Sequence, residues 1–250
     1  MEESLSKRIQ IFCAWCGPAF VVLYGLSWCV LGHNYPPPDP GFTAQELVYN
    51  FYMKYQDSIL LGQSLSTASG ILYLVWACQL TVQMRRRETT PILSILQLTG
   101  GLLTGWVLIF CPALWAWCAE MAGSVSPELI KAVHFMAWYV YDMTYMITTV
   151  EVSALFILVI KDQQKPALMP KWAAALALFS GLSFLPLTFL PYFKAGPFAI
   201  NGYWSFHVAF ISYALFTAII GPYMVRDIKR VKIPATPALA QALSHSQSVA

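Results

Sequence analysis

The sequence predicts an all-α fold, a polytopic membrane helical bundle of six transmembrane helices with a short interfacial helix in the first outer loop. Three observations lead there. Hydrophobic residues make up 58% of the chain and charged residues 11%, against roughly 25% charged in an ordinary soluble domain. The apolar residues fall in runs of about twenty rather than in alternating patterns, the length a helix needs to cross ~30 Å of hydrocarbon. The connections are short, so the 250 residues read as one domain with no room for a separate soluble catalytic one. The net charge of +3 says little about partners beyond the lipid bilayer. No basic patch with interleaved aromatics points to nucleic acid.

The first span is predicted over 9–31, an apolar run too long for a signal-peptide core and without a small-x-small cleavage site, hence uncleaved. The proline-rich stretch His33 to Gly41 cannot be helix. Thr43 and Glu46 then form a capping box, and Leu47, Val48, Phe51, Tyr52 and Tyr55 share one face of the helix they start. That helix either rests on the membrane surface or forms a lid over a cavity. The second span, 58–84, carries Gly62, Ser66 and Gly70, and the third, 91–117, carries Gly101 and Gly105. Such spacing lets backbones approach closely and predicts a tight antiparallel hairpin. In the third span Pro112 should kink or end the helix, and the tryptophans around it fit an interface belt.

The fourth span, 132–160, belongs to the most informative stretch. Ser126, Pro127 and Glu128 give a capping serine, a proline at the first helical position and an acid in the first turn. One helix of roughly 34 residues would reach about 51 Å, beyond the ~30 Å of hydrocarbon. This places Asp142 at one membrane edge and Glu151 near the middle. An ionisable group at that depth is a functional hypothesis by default. The fifth span, 171–191, is broken at Pro186 and Pro191, the sixth covers 203–225, and the tail 233–250 reads as disordered.

Orientation follows from lysine and arginine. Twelve of them (Lys7, Arg8, Arg85, Arg86, Arg87, Lys161, Lys165, Lys171, Arg226, Lys229, Arg230, Lys232) fall on the side of both termini, and three (Lys54, Lys131, Lys194) on the other. Under the positive-inside rule both termini are cytoplasmic and the protein belongs in the cell inner membrane.

The Pro-Pro-Pro-x-Pro segment at Pro36–Pro40, followed by the Ala44-x-Glu46 helix, and the stretch Phe193-Lys194-Ala195-Gly196-Pro197-Phe198-Ala199 with Asn201-Gly202 before the last span, resemble a group of uncharacterised small bacterial six-span integral membrane proteins. The resemblance covers most of the chain and implies the fold. It supplies no activity, cofactor or catalytic residue.

Candidate chemistry is therefore read from the residues. His33, His134 and His207 fall at the outer ends of the first, fourth and sixth spans, and His134, Trp138 and Asp142 form one helical stripe. Hydrogen bonding at the interface, proton transfer and a metal site are all open to these histidines, although no dense ligand motif such as His-x-x-x-His is present. Glu151 lies nine residues beyond Asp142, on the opposite helix side. No lysine or arginine lies in the hydrocarbon segments, so its partners should be neutral, such as Gln63, Thr67, Gln97 or Thr104, or something other than protein. Glu151, Asp142, His134 and His207 are the candidate catalytic residues, and Trp138, Tyr145, Asn201, Trp204 and Glu46 the candidate ligand-binding ones. Cys13-x-x-Cys16 lacks a thioredoxin-like context and reads as buried small hydrophobes, while Cys29 and Cys118 both approach the outer face.

Three function classes follow. The first is an integral membrane protein that binds or processes a hydrophobic small molecule in a cavity open to the outer leaflet, by acid/base chemistry if it is an enzyme. The second is a non-catalytic anchor or assembly subunit with a protein partner in the membrane, one version holding a haem between His134 and His207. The third is a proton-coupled transporter, against which the absence of a repeat between the two halves argues. Neither the cofactor nor the enzymatic status is fixed by sequence.

Overall fold

The computed structural model describes residues 3–230, so the predicted tail 233–250, and Lys232, lie outside the described residues. Six helices are long and apolar enough to cross a membrane: Leu5–Leu31, Gln56–Arg85, Ile92–Met121, Pro127–Lys161, Lys171–Tyr192 and Tyr203–Arg230. Among the described residues there is no strand. The chain is an integral membrane protein of the multi-pass helical class.

Each span packs against its neighbours in sequence, and the first closes onto the sixth. The six helices thus form a ring in chain order. Small residues decide how closely they approach. A Cβ on Gly70 would meet Ile109 at 2.7 Å, and one on Gly105 would meet Leu74 at 2.1 Å, so the second and third spans do form a close hairpin. The stripe splits, however. A Cβ on Gly62 would lie 2.4 Å from the Gly32 nitrogen, and the Ser66 hydroxyl donates to that of Ser27 at 3.0 Å. These two positions serve the first span.

Three expectations need correction. The fourth span is not one helix: it runs Pro127–Met143, turns at Thr144 and Tyr145, and resumes as Met146–Lys161. Of the two outcomes open at Pro112, ending is not the one taken, since the third helix continues through it to Met121. Trp115 is 1% exposed and belongs to the core, not to an interface belt. Asp142 is 2% exposed, so it is buried rather than wetted at a membrane edge. The fifth span behaves as its prolines require, with α-helix to Ser183 followed by a 3₁₀ stretch, Leu185–Tyr192.

The loop helix starts at Thr43 with the capping box formed on both sides and continues through a π-helical turn, Val48–Tyr52. Leu47, Val48, Phe51 and Tyr52 are buried against Ile59, Cys118, Ala119 and Ile130. Its apolar face therefore seals on protein, capping one end of the second, third and fourth spans.

Candidate functional site

The turn in the fourth span interrupts regular helix within the ring. Backbone outside regular helix is tolerated at such depth only when buried in protein or lining a cavity, and here it lines one. A hollow of about 40 Å³ is bounded by Thr104, Val107 and Leu108 of the third span, by Tyr141, Thr144, Tyr145, Ile147 and Thr148 around the turn, and by Phe184, Phe210 and Tyr213. A second hollow, of about 80 Å³, lies on the other side of Leu108, Tyr141, Phe210 and Tyr213 and reaches Phe20, Tyr24 and Trp28 of the first span. No acidic, basic or histidine side chain lines either one.

Most hydroxyls in these walls are already engaged. Those of Thr104 and Thr148 bond each other at 2.9 Å, Thr144 donates to the Val140 carbonyl at 2.8 Å, and Tyr24 and Tyr141 pair at 3.3 Å. Tyr145 shares a hydrogen bond with Thr188. Tyr213 is the exception: it is 8% exposed and its hydroxyl has no partner. A buried hydroxyl without a partner costs free energy that a ligand's polar group would return.

Glu151 stands beside the hollow, not in its wall. Tyr73 donates to Oε2 at 2.8 Å, Gln97 Nε2 donates to Oε1 at 3.3 Å, and the Gln97 carbonyl oxygen accepts from Thr81 at 2.6 Å. The carboxyl is 1% exposed as a residue, and its neighbours are neutral. Two glycines make its place. A Cβ on Gly100 would meet the Ile147 carbonyl oxygen and the Glu151 Cβ at 2.7 Å, and one on Gly101 would lie 3.0 Å from Glu151 Oε1. The Tyr73 ring stacks on that of Tyr213 with centroids 5.8 Å apart. Tyr73 therefore links the carboxyl to the residue that carries the free hydroxyl.

No protein-family model matches the chain, and no curated protein and no solved structure matches it.

The remaining candidates are dispersed. Tyr145 lines the hollow. Asp142 is buried with Oδ1 unpartnered, on a different side from Glu151. His134 bonds Tyr52 at 2.7 Å, His207 bonds Tyr35 at 2.8 Å, and His33 stacks on Tyr55 with centroids 4.1 Å apart. The three histidines thus sit in separate tyrosine pairs, and among the described residues no three His, Cys, Asp or Glu side chains gather as a metal set. Burial lowers the His33 pKa below the ordinary imidazole value.

Trp138 packs 4.8 Å from Trp115 and 5.9 Å from Trp28, in an aromatic block beside the hollows. Trp204 donates to the Ser183 carbonyl at 2.8 Å, fastening the last outer loop to the end of the fifth helix. Asn201 is exposed in that loop. Glu46 is committed to its cap, where the Thr43 backbone N–H and hydroxyl donate to it at 2.8 and 2.9 Å and hold its pKa below the usual carboxylate value. All six cysteines are free thiols, Cys29 and Cys118 among them.

Sequence reasoning missed Tyr73 and Tyr213. Tyr73 had a signal, since it lies three residues after Gly70 and four before Ala77, on the face turned to the third span. Tyr213 had none, because its importance comes from what its hydroxyl lacks.

Proposed function

We propose that this protein binds an uncharged hydrophobic small molecule inside the membrane, in the hollow at the turn of the fourth span. The observation that carries this reading is a space of about 40 Å³, walled by aromatic, aliphatic and threonine side chains that part to admit a ligand, with one buried tyrosine hydroxyl unpartnered. Such sites are mostly apolar with a few placed polar groups. A ligand with a single carbonyl or hydroxyl would bond Tyr213 and bury the rest of its surface against Val107, Leu108, Phe184 and Phe210. A charged ligand would find no counter-charge in the walls.

In this reading Glu151 is the acid or base of the site, acting through Tyr73. Its hydrogen-bonded partner Tyr73 stacks on Tyr213 of the hollow's wall, and general acid–base groups contribute about 10²–10⁴-fold to a rate. The asymmetry of basic residues supports a cell inner membrane location with both termini cytoplasmic. A transport role is the second reading, favoured by the interrupted fourth span, since discontinuous helices line the substrate sites of many transporters.

The experiment is photolabelling of the purified protein with a diazirine-bearing long-chain alcohol. Label should concentrate on Thr144–Thr148 and around Tyr213, and Thr148→Trp, which fills the hollow, should remove it. Even labelling of outward-facing residues such as Phe12 and Val22, unchanged by Thr148→Trp, would contradict the proposal.

A further inference from the structure

A second feature lies at the end of the bundle where the chain carries most of its lysine and arginine. Between the connection that follows Lys161 and the last turns of the sixth span there is a groove of about 490 Å³, with Met169, Pro170, Trp172, Tyr223, Arg226 and Arg230 among its walls. Its charge is one-sided. No carboxylate lines it, and the acids nearby are spent elsewhere: Asp162 and Asp227 are both held by Arg87, at 2.6 and 2.5 Å. Glu88 accepts the backbone N–H groups of Leu93 and Ser94, at 3.1 and 2.9 Å.

Arg226 is held in place but not used up. Its guanidinium lies 4.8 Å from the centre of the Tyr223 ring, and Nη2 donates to the Leu168 carbonyl at 3.3 Å. Nε is buried and has no acceptor. A guanidinium has five N–H donors in a fixed fork suited to phosphate oxygens, so most of this one's capacity is open. Arg230 is exposed beside it. The groove's rim is aromatic: Trp172 is 55% exposed and meets Tyr223 edge-on, with centroids 6.2 Å apart. Tryptophan and tyrosine collect at the depth of lipid headgroups, and basic pockets between helices at the cytoplasmic side suit anionic headgroups.

We propose that this groove binds the phosphate headgroup of an anionic phospholipid, with Arg226 and Arg230 on the phosphate and Met169, Pro170 and Trp172 against the glycerol and first methylenes. The site is distinct from the hollow and stands or falls independently of it.

The test is thermal unfolding of the full chain in detergent, titrated with phosphatidylglycerol, with phosphatidylcholine, and with inorganic phosphate alone. Phosphatidylglycerol should raise Tm saturably, and the other two should not. In Arg226→Gln/Arg230→Gln the apparent affinity for phosphatidylglycerol should fall about 30-fold, since a basic residue near the membrane surface is worth about 1 kcal/mol and 1.4 kcal/mol is tenfold. The variant's Tm in phosphatidylcholine reports its folding. If the double variant does not fold, Arg226→Lys keeps the charge while losing the fork, and should still weaken the response. A phosphatidylglycerol-type photolipid should crosslink to residues 166–172 and 223–230. Equal shifts from both lipids, or an undiminished response in the variants, would overturn the proposal. A shift from inorganic phosphate matching that from phosphatidylglycerol would overturn the lipid assignment in favour of a free anion.

Discussion

Glu151 shows how much one buried carboxyl demands of its surroundings. It needs donors, supplied by Tyr73 at 2.8 Å and Gln97 at 3.3 Å, and it needs room, supplied by Gly100 and Gly101. Removing the better donor in Tyr73→Phe should cost about 1–3 kcal/mol, the penalty for leaving a buried polar group unpaired, read as a lower Tm in detergent. Gly100→Ala should cost a similar 1–3 kcal/mol by overpacking, because the atom it meets at 2.7 Å is a backbone oxygen that cannot swing aside. Glu151→Gln should keep Tm near wild type while abolishing activity if the proton is used. A neutral environment for Glu151 was legible in the sequence, which places no lysine or arginine in the hydrocarbon, and Gln97 was among the neutral partners expected. Tyr73 was not, because a tyrosine in an apolar helix reads as packing until its hydroxyl is located. At the outer surface, the cap on Glu46 depends on pH. The donors at Thr43 hold its folded pKa below the ordinary 4.5, so the cap's contribution is complete above about pH 4.5 and is lost as pH falls through the lower folded value. The protection factor of the Thr43 amide, which the carboxylate accepts, should be high at neutral pH and fall in acid once the intrinsic pH dependence of exchange is divided out; pH-independent protection would show that the carboxylate does not hold the helix.

At the scale of elements, the decisive feature is the turn at Thr144 and Tyr145. The stretch Tyr141 to Thr149 contains no proline or glycine, so local propensity gives no reason for a break, and the sequence reads as continuous helix. The ring imposes it: Gly100 brings the third span against Ile147 and Glu151, while the first half of the span, through His134, Trp138 and Ile130, packs under the loop helix and beside Trp115. Capping signals were legible because they are local, as at Thr43 with Glu46 and at Ser126, where the side chain accepts from Leu129. Pro112 alone left two outcomes open, and the third helix continues through it to Met121. The clamp at the far end is a further test. Arg87 joins the turn between the second and third spans to Asp162 after the fourth and Asp227 of the sixth, at side-chain exposures of 6, 2 and 5%. Arg87→Met would leave two buried carboxylates unpaired and should cost about 3–5 kcal/mol. Arg87→Met unfolding at the wild-type temperature would show that the three helices are fastened by packing alone.

For the whole molecule, six helices in a sequential ring put charge at one end, tyrosine–histidine pairs at the other and aromatic walls between. Span number and approximate bounds were legible because hydrocarbon thickness dictates them. The order of the ring, and so which residues face its centre, was not, since a hydropathy profile has no side. Twelve basic residues against three set the expected topology: reporter fusions after Arg87 and Gln164 should report cytoplasm and one after Lys194 the opposite side. A cytoplasmic signal after Lys194 would contradict that topology. The central claim is that the space at the fourth-span turn is a ligand site, and the most direct measurement is an experimental density map of the protein extracted with its native lipids. The account expects non-protein density between Thr104, Thr148 and Phe184, with a polar end within hydrogen-bond distance of the Tyr213 hydroxyl. A map in which Phe184 and Phe210 collapse to fill the space, with Tyr213 bonded to protein, would contradict it.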